Sequence, residues 1–583
     1  MAIFDFDEKT SLIGTVRDVD TRKVSIHVKS DEDLRKAKVG QLVCLEVFSG
    51  VETWLVAIVE KVTKSVSVAT ADLIEGEEEL ELEGAIEDVI NTVKVSLVGS
   101  VRWNALEDTA VFSRSLMQVP DIDAKAFVLV GNELEAFMNI LVSASDTDHS
   151  LDLGTYVIDE NAQAYLDGNK FFQRHAALVG STGSGKSWTV ASILERAAKL
   201  PSSNLIVFDL HGEYKSLTYA NQLRIPGPEE LGTSNDELLY LPYWLLNTEE
   251  MQSLFIDSTS FSAQNQVSKF QEAVVDAKTS ILKKLDKQDV LDAFTLDSPI
   301  PYEIKSVVSD LKYLNEEMVP GSRGEKKGPF NGTFDRLLAR IQGKLDDRRY
   351  GFLFQVPAAE SDYDALGRLV SKLLNFEKEK EQIKVIDFSE VPSDILPVMV
   401  GLVGRLIYQI QFWTNHEDRH PIAMVCDEAH LYLPKKDGKN PVEKRAIESF
   451  EKIAKEGRKY GVALFIVSQR PSDVSTTILS QCNNVISLRL TNAEDQSTVK
   501  KLLPDSLDSL LDILPIMDVG EALVVGDSVL LPSRIKITPP VEKPLSETVK
   551  FWESWSKPNA NLNFATIVEN LRKQSRSQVG TTE

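Results

Sequence analysis

The sequence predicts an α/β chain: a small antiparallel β-barrel at the N-terminus, then a core in which helices cover both faces of a parallel sheet, with a helical insertion inside that core. Three observations carry this reading. Short β-branched runs separated by turn formers fill residues 1–120. Continuous apolar strands alternate with helix-compatible segments over 121–230 and again over 381–540. Between them, over 231–380, the period changes to that of amphipathic helices, and residues 541–583 remain as a tail.

In the first part, Ser11–Val16, Val24–Val28, Gln41–Val47, Thr53–Val59, Ser65–Ala69 and Lys94–Val101 are the strand candidates. Several alternate apolar with polar residues, as half-buried antiparallel strands do, and closing them into a barrel removes exposed edges. The Glu-rich stretch Glu75–Asp88 reads as a solvated acidic edge. A strand and a helix are expected within Ala126–Leu141, and Leu153–Ile158 and Asn169–Val179 lead into the core. Its strands are Ala176–Val179, Asn204–Asp209, Ile383–Phe388, Pro421–Cys426, Val462–Gln469 and Asn484–Leu490, closed by a hairpin of Glu521–Leu531 with Ser533–Ile537. The insertion reads as helices Gln264–Lys287, Tyr302–Glu317, Thr333–Leu345 and Asp362–Phe376, with a loop at Val319–Pro329. Tail residues Trp552 and Trp555 mark a packing or partner segment.

At 583 residues the chain exceeds a single core, and 43% hydrophobic with 26% charged residues is ordinary globular composition. A net charge of −24 argues against a surface coated in basic patches, though it leaves room for a local basic lining. Cys44, Cys426 and Cys482 lie far apart without metal-ligand spacing, which fits a reduced, cytoplasmic protein. The N-terminus MAIFDFDEKT has no basic region followed by an apolar core, so no signal peptide is expected. The apolar stretch Ile395–Trp413 is interrupted by Arg405 and Gln409 and is expected to be a buried helix, not a membrane span.

The chemistry begins where the strand Ala176–Val179 runs into Gly180-Ser181-Thr182-Gly183-Ser184-Gly185-Lys186-Ser187 and straight on into a helix from Trp188. This is the spacing of a phosphate-binding P-loop. Glycines let successive N–H groups point into one concavity at a helix start, where a triphosphate accepts them. Lys186 is expected to reach the β and γ phosphates of ATP, the Ser187 hydroxyl to hold Mg²⁺, and residues 180–188 through Trp188 to bind the nucleotide. The fold class is thereby specified as a RecA-like P-loop NTPase core.

Asp427-Glu428, closing an apolar strand, has the form of a Walker B pair: Asp427 toward the metal and Glu428 toward the attacking water. Gln469 ends the next strand, placed to sense the γ phosphate. Arg458 precedes that strand and, in a ring, would reach a neighbouring subunit's nucleotide, with Arg470 and Arg489 as competitors. Asp209, His211 and Glu213 either couple the γ phosphate to motion or cap a turn. His175 reads as a packed histidine.

Taken in order, Arg174-His175, the P-loop, Asp209-Leu-His-Gly-Glu-Tyr214, Asp427-Glu-Ala-His430, Glu456–Gly461, Ser468–Ser472, Leu479–Asn483 and Gly520-Glu-Ala-Leu resemble the HerA family of the FtsK/HerA ATPases over nearly the whole chain. The β-rich segment before them is similar to that family's N-terminal barrel. The resemblance implies a homo-oligomer, a six-membered ring that moves double-stranded DNA through its pore with ATP, and a NurA-like nuclease or a defence effector on the barrel face. If DNA is engaged, candidate contacts are Lys435, Lys436, Lys439, Lys444 and Arg445, or Arg323, Lys326 and Lys327.

Overall fold

The computed structural model describes residues 3–47, 53–68, 87–104, 109–144, 150–256, 262–322, 324–375, 382–435, 441–503, 505–546, 549–557 and 564–574. Most of the acidic stretch 75–88 lies outside them; Glu87 and Asp88 open a strand. The chain divides into two compact units, Met1–Lys186 with Asn483–Pro539, and Ser187–Cys482 with Pro540–Glu583.

The first unit opens with strands β1 (Leu12–Asp20), β2 (Lys23–Val28), β3 (Leu42–Glu46), β4 (Thr53–Val68), β5 (Glu87–Asn104), β6 (Thr109–Ser113) and β7 (Lys125–Val128). The order β2-β1-β7-β3-β4-β5 closes on itself, because β5 returns to β2 through Asn91–Ser96 while its far half carries β6. Strand β7, inserted between β1 and β3, lies beyond residue 120, so the barrel reaches further along the chain than the run of turn formers indicates. Period-two alternation points Val16, Val24, Val43, Leu55, Val93 and Ala126 into the barrel, all fully buried. Gly14 is required here: a Cβ would stand 2.1 Å from the His27 carbonyl oxygen.

The barrel's outer side is buried too. Leu42, Val56 and Phe112 share one core with Phe137 and Met138 of the helix Gly131–Ala144 and with Leu523 and Val525. This second core is why the barrel does not stand alone as a domain. Strands β8 (Ser150–Tyr156), β9 (Asp159–Asp167) and β10 (Ala176–Val179) complete the unit's first pass.

The second unit contains β11 (Leu205–Asp209), β12 (Asn221–Arg224), β13 (Met318–Gly321), β14 (Gly324–Lys327), β15 (Ile383–Asp387), β16 (Ile422–Cys426) and β17 (Val462–Ser468). Its main sheet, β12-β15-β11-β16-β17, is wholly parallel. Strands β11, β15, β16 and β17 are buried at every position, which is why they read as continuous apolar runs. Helix Leu396–Trp413, the expected buried helix, is long and apolar enough to cross a membrane, yet 67% of it is buried. Gly401 and Gly404 let it approach the helix Pro441–Glu456: a Cβ at Gly401 would lie 2.9 Å from Ala446 Cα, and one at Gly404 2.8 Å from the Phe450 ring. Arg405, the interruption, forks onto Glu250 with Nε and Nη2 at 2.9 and 2.7 Å.

The insertion forms helices Ala263–Lys284, Ile304–Glu316, Asp335–Asp346 and Ala365–Leu374, each within a few residues of expectation. The segment expected as a loop, Val319–Pro329, instead contains the antiparallel hairpin β13–β14, with Met318 opposite Lys327 and Gly321 opposite Gly324. Gly324 at φ +114° supplies a turn conformation that other residues disfavour. The chain then returns to the first unit as β18 (Asn484–Ser487), β19 (Glu521–Gly526) and β20 (Ser533–Ile537). There β10 runs parallel to β18, and antiparallel steps continue through β19, β20, β8 and β9. In the tail, Trp552 and Trp555 sit on the short helix Phe551–Trp555, 83% and 73% exposed.

Candidate functional site

In the first unit the P-loop leaves β10 with Gly183 at φ +73° and Gly185 at φ +108°, conformations that the glycines make accessible. Gly180 is needed for space, since a Cβ there would press within 2.5 Å of Ser184 Oγ. The loop is held from outside: Ser181 N–H donates to Arg489 O at 2.8 Å, and Gly520 N–H donates to Ser184 O at 3.2 Å. Two distant motifs in the sequence, around Leu490 and Gly520, are therefore its supports. Ser184 is fully buried, and its hydroxyl has no hydrogen-bond partner among the described residues. Lys186 is 8% exposed at the start of helix Lys186–Ala197. Thr182 and Gly183 are exposed, and Ser181 and Gly185 half-buried.

In the second unit that helix continues through Ser187 and Trp188, both half-buried. The Trp188 ring faces Lys543 Nζ, 5.5 Å from its centroid. Lys543 belongs to a strap, residues 541–545, fastened by Val541 N–H to Glu195, Glu542 to Thr218, Lys543 O to Ser216 and Leu545 N–H to Glu213 O. No signal in the sequence points to it, because its partners lie hundreds of residues away.

Asp209, at the end of β11, resolves one open alternative. Its carboxylate accepts N–H groups from His211, Gly212 and Glu213 on Oδ1 at 3.1, 2.8 and 3.1 Å, and from Tyr214 on Oδ2 at 2.9 Å. It is a turn cap. The turn it folds carries Glu213, whose Oε2 is buried without a hydrogen-bond partner among the described residues, while His211 is exposed. It also carries Tyr214, wholly buried, whose hydroxyl donates to Asp427 Oδ2 at 3.0 Å. In the sequence Tyr214 only closes the motif Asp209–Tyr214, and nothing in the spacing marks its hydroxyl.

Asp427 follows β16, its Oδ1 accepting the Glu428 N–H at 2.9 Å and its backbone oxygen the Tyr432 hydroxyl at 3.0 Å. Burial first, then Glu428, Glu213 and Asp209 nearby, push its carboxyl up to about 8. Glu428 adopts φ 46°, ψ 43°, a left-handed conformation that costs a non-glycine residue about 1 kcal/mol or more. Its Oε2 is buried, 3.3 Å from His430 Nδ1 but not aligned for a hydrogen bond. Acidic groups packed so closely, with buried oxygens left over, suit a hard divalent cation. Among the described residues no cluster of three or more ligating side chains forms a protein-only cage. The fit is therefore to magnesium carried with phosphates, which asks for one or two protein oxygens.

Gln469 is half-buried just beyond β17. Arg458 is exposed in the turn Gly457–Tyr460, and its guanidinium has no hydrogen bond or ion pair among the described residues. Arg470 is exposed beside Asp473, at 3.9 Å. Arg489 is half-buried in the segment that supports the P-loop. Lys326, Lys327, Lys435 and Lys444 are exposed; Lys436, Lys439, Arg323 and the Arg445 side chain lie outside the described residues. His175 is buried as expected, at φ 51°.

A glycine loop entering a helix at Lys186, and an Asp-Glu pair closing a parallel strand, define a P-loop NTPase with a RecA-like α/β core. Comparison with known proteins makes this specific. Residues 151–407 match the model for the central domain of helicase HerA, and residues 410–542 the HerA-like C-terminal domain. The DNA double-strand break repair helicase HerA of Saccharolobus solfataricus is 27% identical over 401 residues, 68% of this chain and 70% of that protein. Its counterpart in Pyrococcus furiosus is 27% identical over 419 residues, 66% and 69% of the two chains. A probable helicase of Methanocaldococcus jannaschii, MJ1565, is 25% identical over 428 residues, 70% and 71%. Among solved structures, VirB4 of Thermoanaerobacter pseudethanolicus covers 70% of this chain and 99% of its own at 17% identity and TM-score 0.45, too distant for residue-by-residue transfer. The chain belongs to the HerA helicase family of the FtsK/HerA superfamily. It is an ATP-hydrolysing enzyme of the helicase and translocase class.

Proposed function

We propose that the protein is an ATP-driven translocase of double-stranded DNA that works as a homo-oligomeric ring, six-membered by family likeness, and serves a nuclease or a defence effector seated on its barrel. The observation that carries the reading is the Asp427-Glu428 pair, Asp427 buried and Glu428 half-buried, in a chain with a complete P-loop. A protein that only binds nucleotide has no use for a carboxylate held in a costly backbone conformation beside the metal-side aspartate.

The P-loop amides of residues 180–187 take the triphosphate, and Lys186 offsets charge on its β and γ groups. Magnesium, when bound, neutralises phosphate charge; Ser187 Oγ and Asp427 would hold it. Glu428 orients the attacking water and accepts its proton, and Gln469 reads whether the γ phosphate is present. Arg458 acts on the neighbouring protomer's nucleotide. The exposed lysines Lys435 and Lys444 are candidates for phosphate contacts along DNA.

The net charge of −24 favours a second reading, an ATPase scaffold that assembles and gates an effector with little translocation of its own. One experiment separates the two. Displacement of a triplex-forming strand from duplex DNA, driven by ATP, is expected for the wild type and abolished in Glu428→Gln, whose turnover falls about 100-fold or more while ATP binding persists. ATP hydrolysis without any displacement would favour the scaffold. Wild-type turnover in Glu428→Gln would remove that residue from the chemistry.

A further inference from the structure

We propose that Tyr214 is a positioning residue for magnesium: its buried hydroxyl holds the Asp427 carboxylate in the orientation that the metal requires. The proposal rests on the reading of Asp427 as the metal-side carboxylate.

The geometry is over-determined for a packing role alone. Tyr214 is clamped along its backbone, its N–H on Asp209 Oδ2 at 2.9 Å and its carbonyl oxygen accepting from Gln222 Nε2 at 3.1 Å. Three further N–H groups on Asp209 Oδ1 fix the turn leading to it, and Gly212 at φ +70° makes that turn possible. All of this ends in one directed contact, the 3.0 Å hydrogen bond from the hydroxyl to Asp427 Oδ2. Oδ1 is fixed separately by the Glu428 N–H. With both oxygens engaged the carboxylate cannot rotate, so the lone pairs left over point in one direction.

Tyr432 offers a built-in control: it is equally buried, but its hydroxyl bonds the main-chain oxygen of Asp427, not the carboxylate.

The test is equilibrium binding of a fluorescent ATP analogue to the full chain, titrated with MgCl₂, in wild type, Tyr214→Phe, Tyr432→Phe and Asp427→Asn. Removing one charge-assisted hydrogen bond is expected to raise the half-saturating magnesium concentration about tenfold in Tyr214→Phe. Affinity for the metal-free nucleotide should stay within about twofold of wild type, and excess magnesium should restore turnover, a split that general loosening does not produce. Thermal melting checks that the phenylalanine ring fills the same cavity. An unchanged magnesium requirement in Tyr214→Phe, while Asp427→Asn shifts it, overturns the role of Tyr214. An equal shift in Tyr432→Phe also overturns it, since the effect would then be structural. If Asp427→Asn leaves the requirement unmoved, the assignment of Asp427 itself fails, a distinct outcome.

Discussion

Asp427 stores an electrostatic penalty that a bound cation relieves. Its folded-state carboxyl lies at about 8 against an ordinary aspartate value of 3.8, so between those values the folded chain retains a proton that the unfolded chain releases. With fewer protons on the unfolded state, stability without ligand falls as pH rises from about 4 to about 8 through this group. Asp427→Asn is therefore expected to stabilise the ligand-free protein, by more at pH 8.5 than at pH 5, when urea midpoints are compared with wild type. A variant destabilised equally at both values would show that Asp427 titrates normally. The same reasoning sets the direction for magnesium: a carboxylate that must lose its proton to bind the ion binds it better as pH rises toward about 8. Glu428 carries its cost in the backbone instead, in the left-handed conformation that sets its carboxylate apart from the strand it follows.

At the scale of elements, the helix Leu396–Trp413 shows how closely two helices of the second unit pack. Its pair Gly401 and Gly404 faces Ala446 and Phe450 so closely that no larger residue fits. Gly404→Leu is expected to lose about 1–3 kcal/mol or more from overpacking, read as a lower urea midpoint of the second unit's unfolding. Stability equal to wild type would mean that the Phe450 ring can swing aside. The helix itself was legible in the sequence because Arg405 broke an apolar run that a membrane would not tolerate, and the fork onto Glu250 is its reason. Strands β11, β15, β16 and β17 were legible because burial on both faces leaves no polar alternation to confuse. The hairpin β13–β14 was not, because its Gly, Pro and Lys residues match a loop's composition and its residues are largely exposed. The P-loop and the Asp427-Glu428 pair were legible because local spacing encodes them. Tyr214, the Asp209 cap and the strap 541–545 depend on the contacts that folding makes, and local spacing says nothing of those.

For the whole molecule the question is what turns hydrolysis in one chain into motion of an assembly. Arg458 bears on it: an exposed guanidinium without a partner among the described residues, on a turn whose Gly461 takes φ 71° just before β17. A side chain of this kind, held by no partner among the described residues, suits a site completed from outside. Arg470 already faces Asp473, whereas Arg489 is tied to its own P-loop through its main-chain oxygen alone, so its side chain stays a competitor. In a ring, each catalytic centre would take Glu428 from one protomer and Arg458 from the next. Arg458→Ala and Glu428→Gln are then each expected to be inactive alone, yet to recover part of the turnover when unfolded and refolded together, because some junctions pair an intact Glu428 with an intact Arg458. The measurement is phosphate release by the mixture, with native mass spectrometry to establish that mixed assemblies have formed. Mixed assemblies as inactive as their parents would place Arg458 in its own chain's site or outside catalysis. Repeating the mixture with Arg470→Ala or Arg489→Ala then shows which arginine, if any, crosses between protomers.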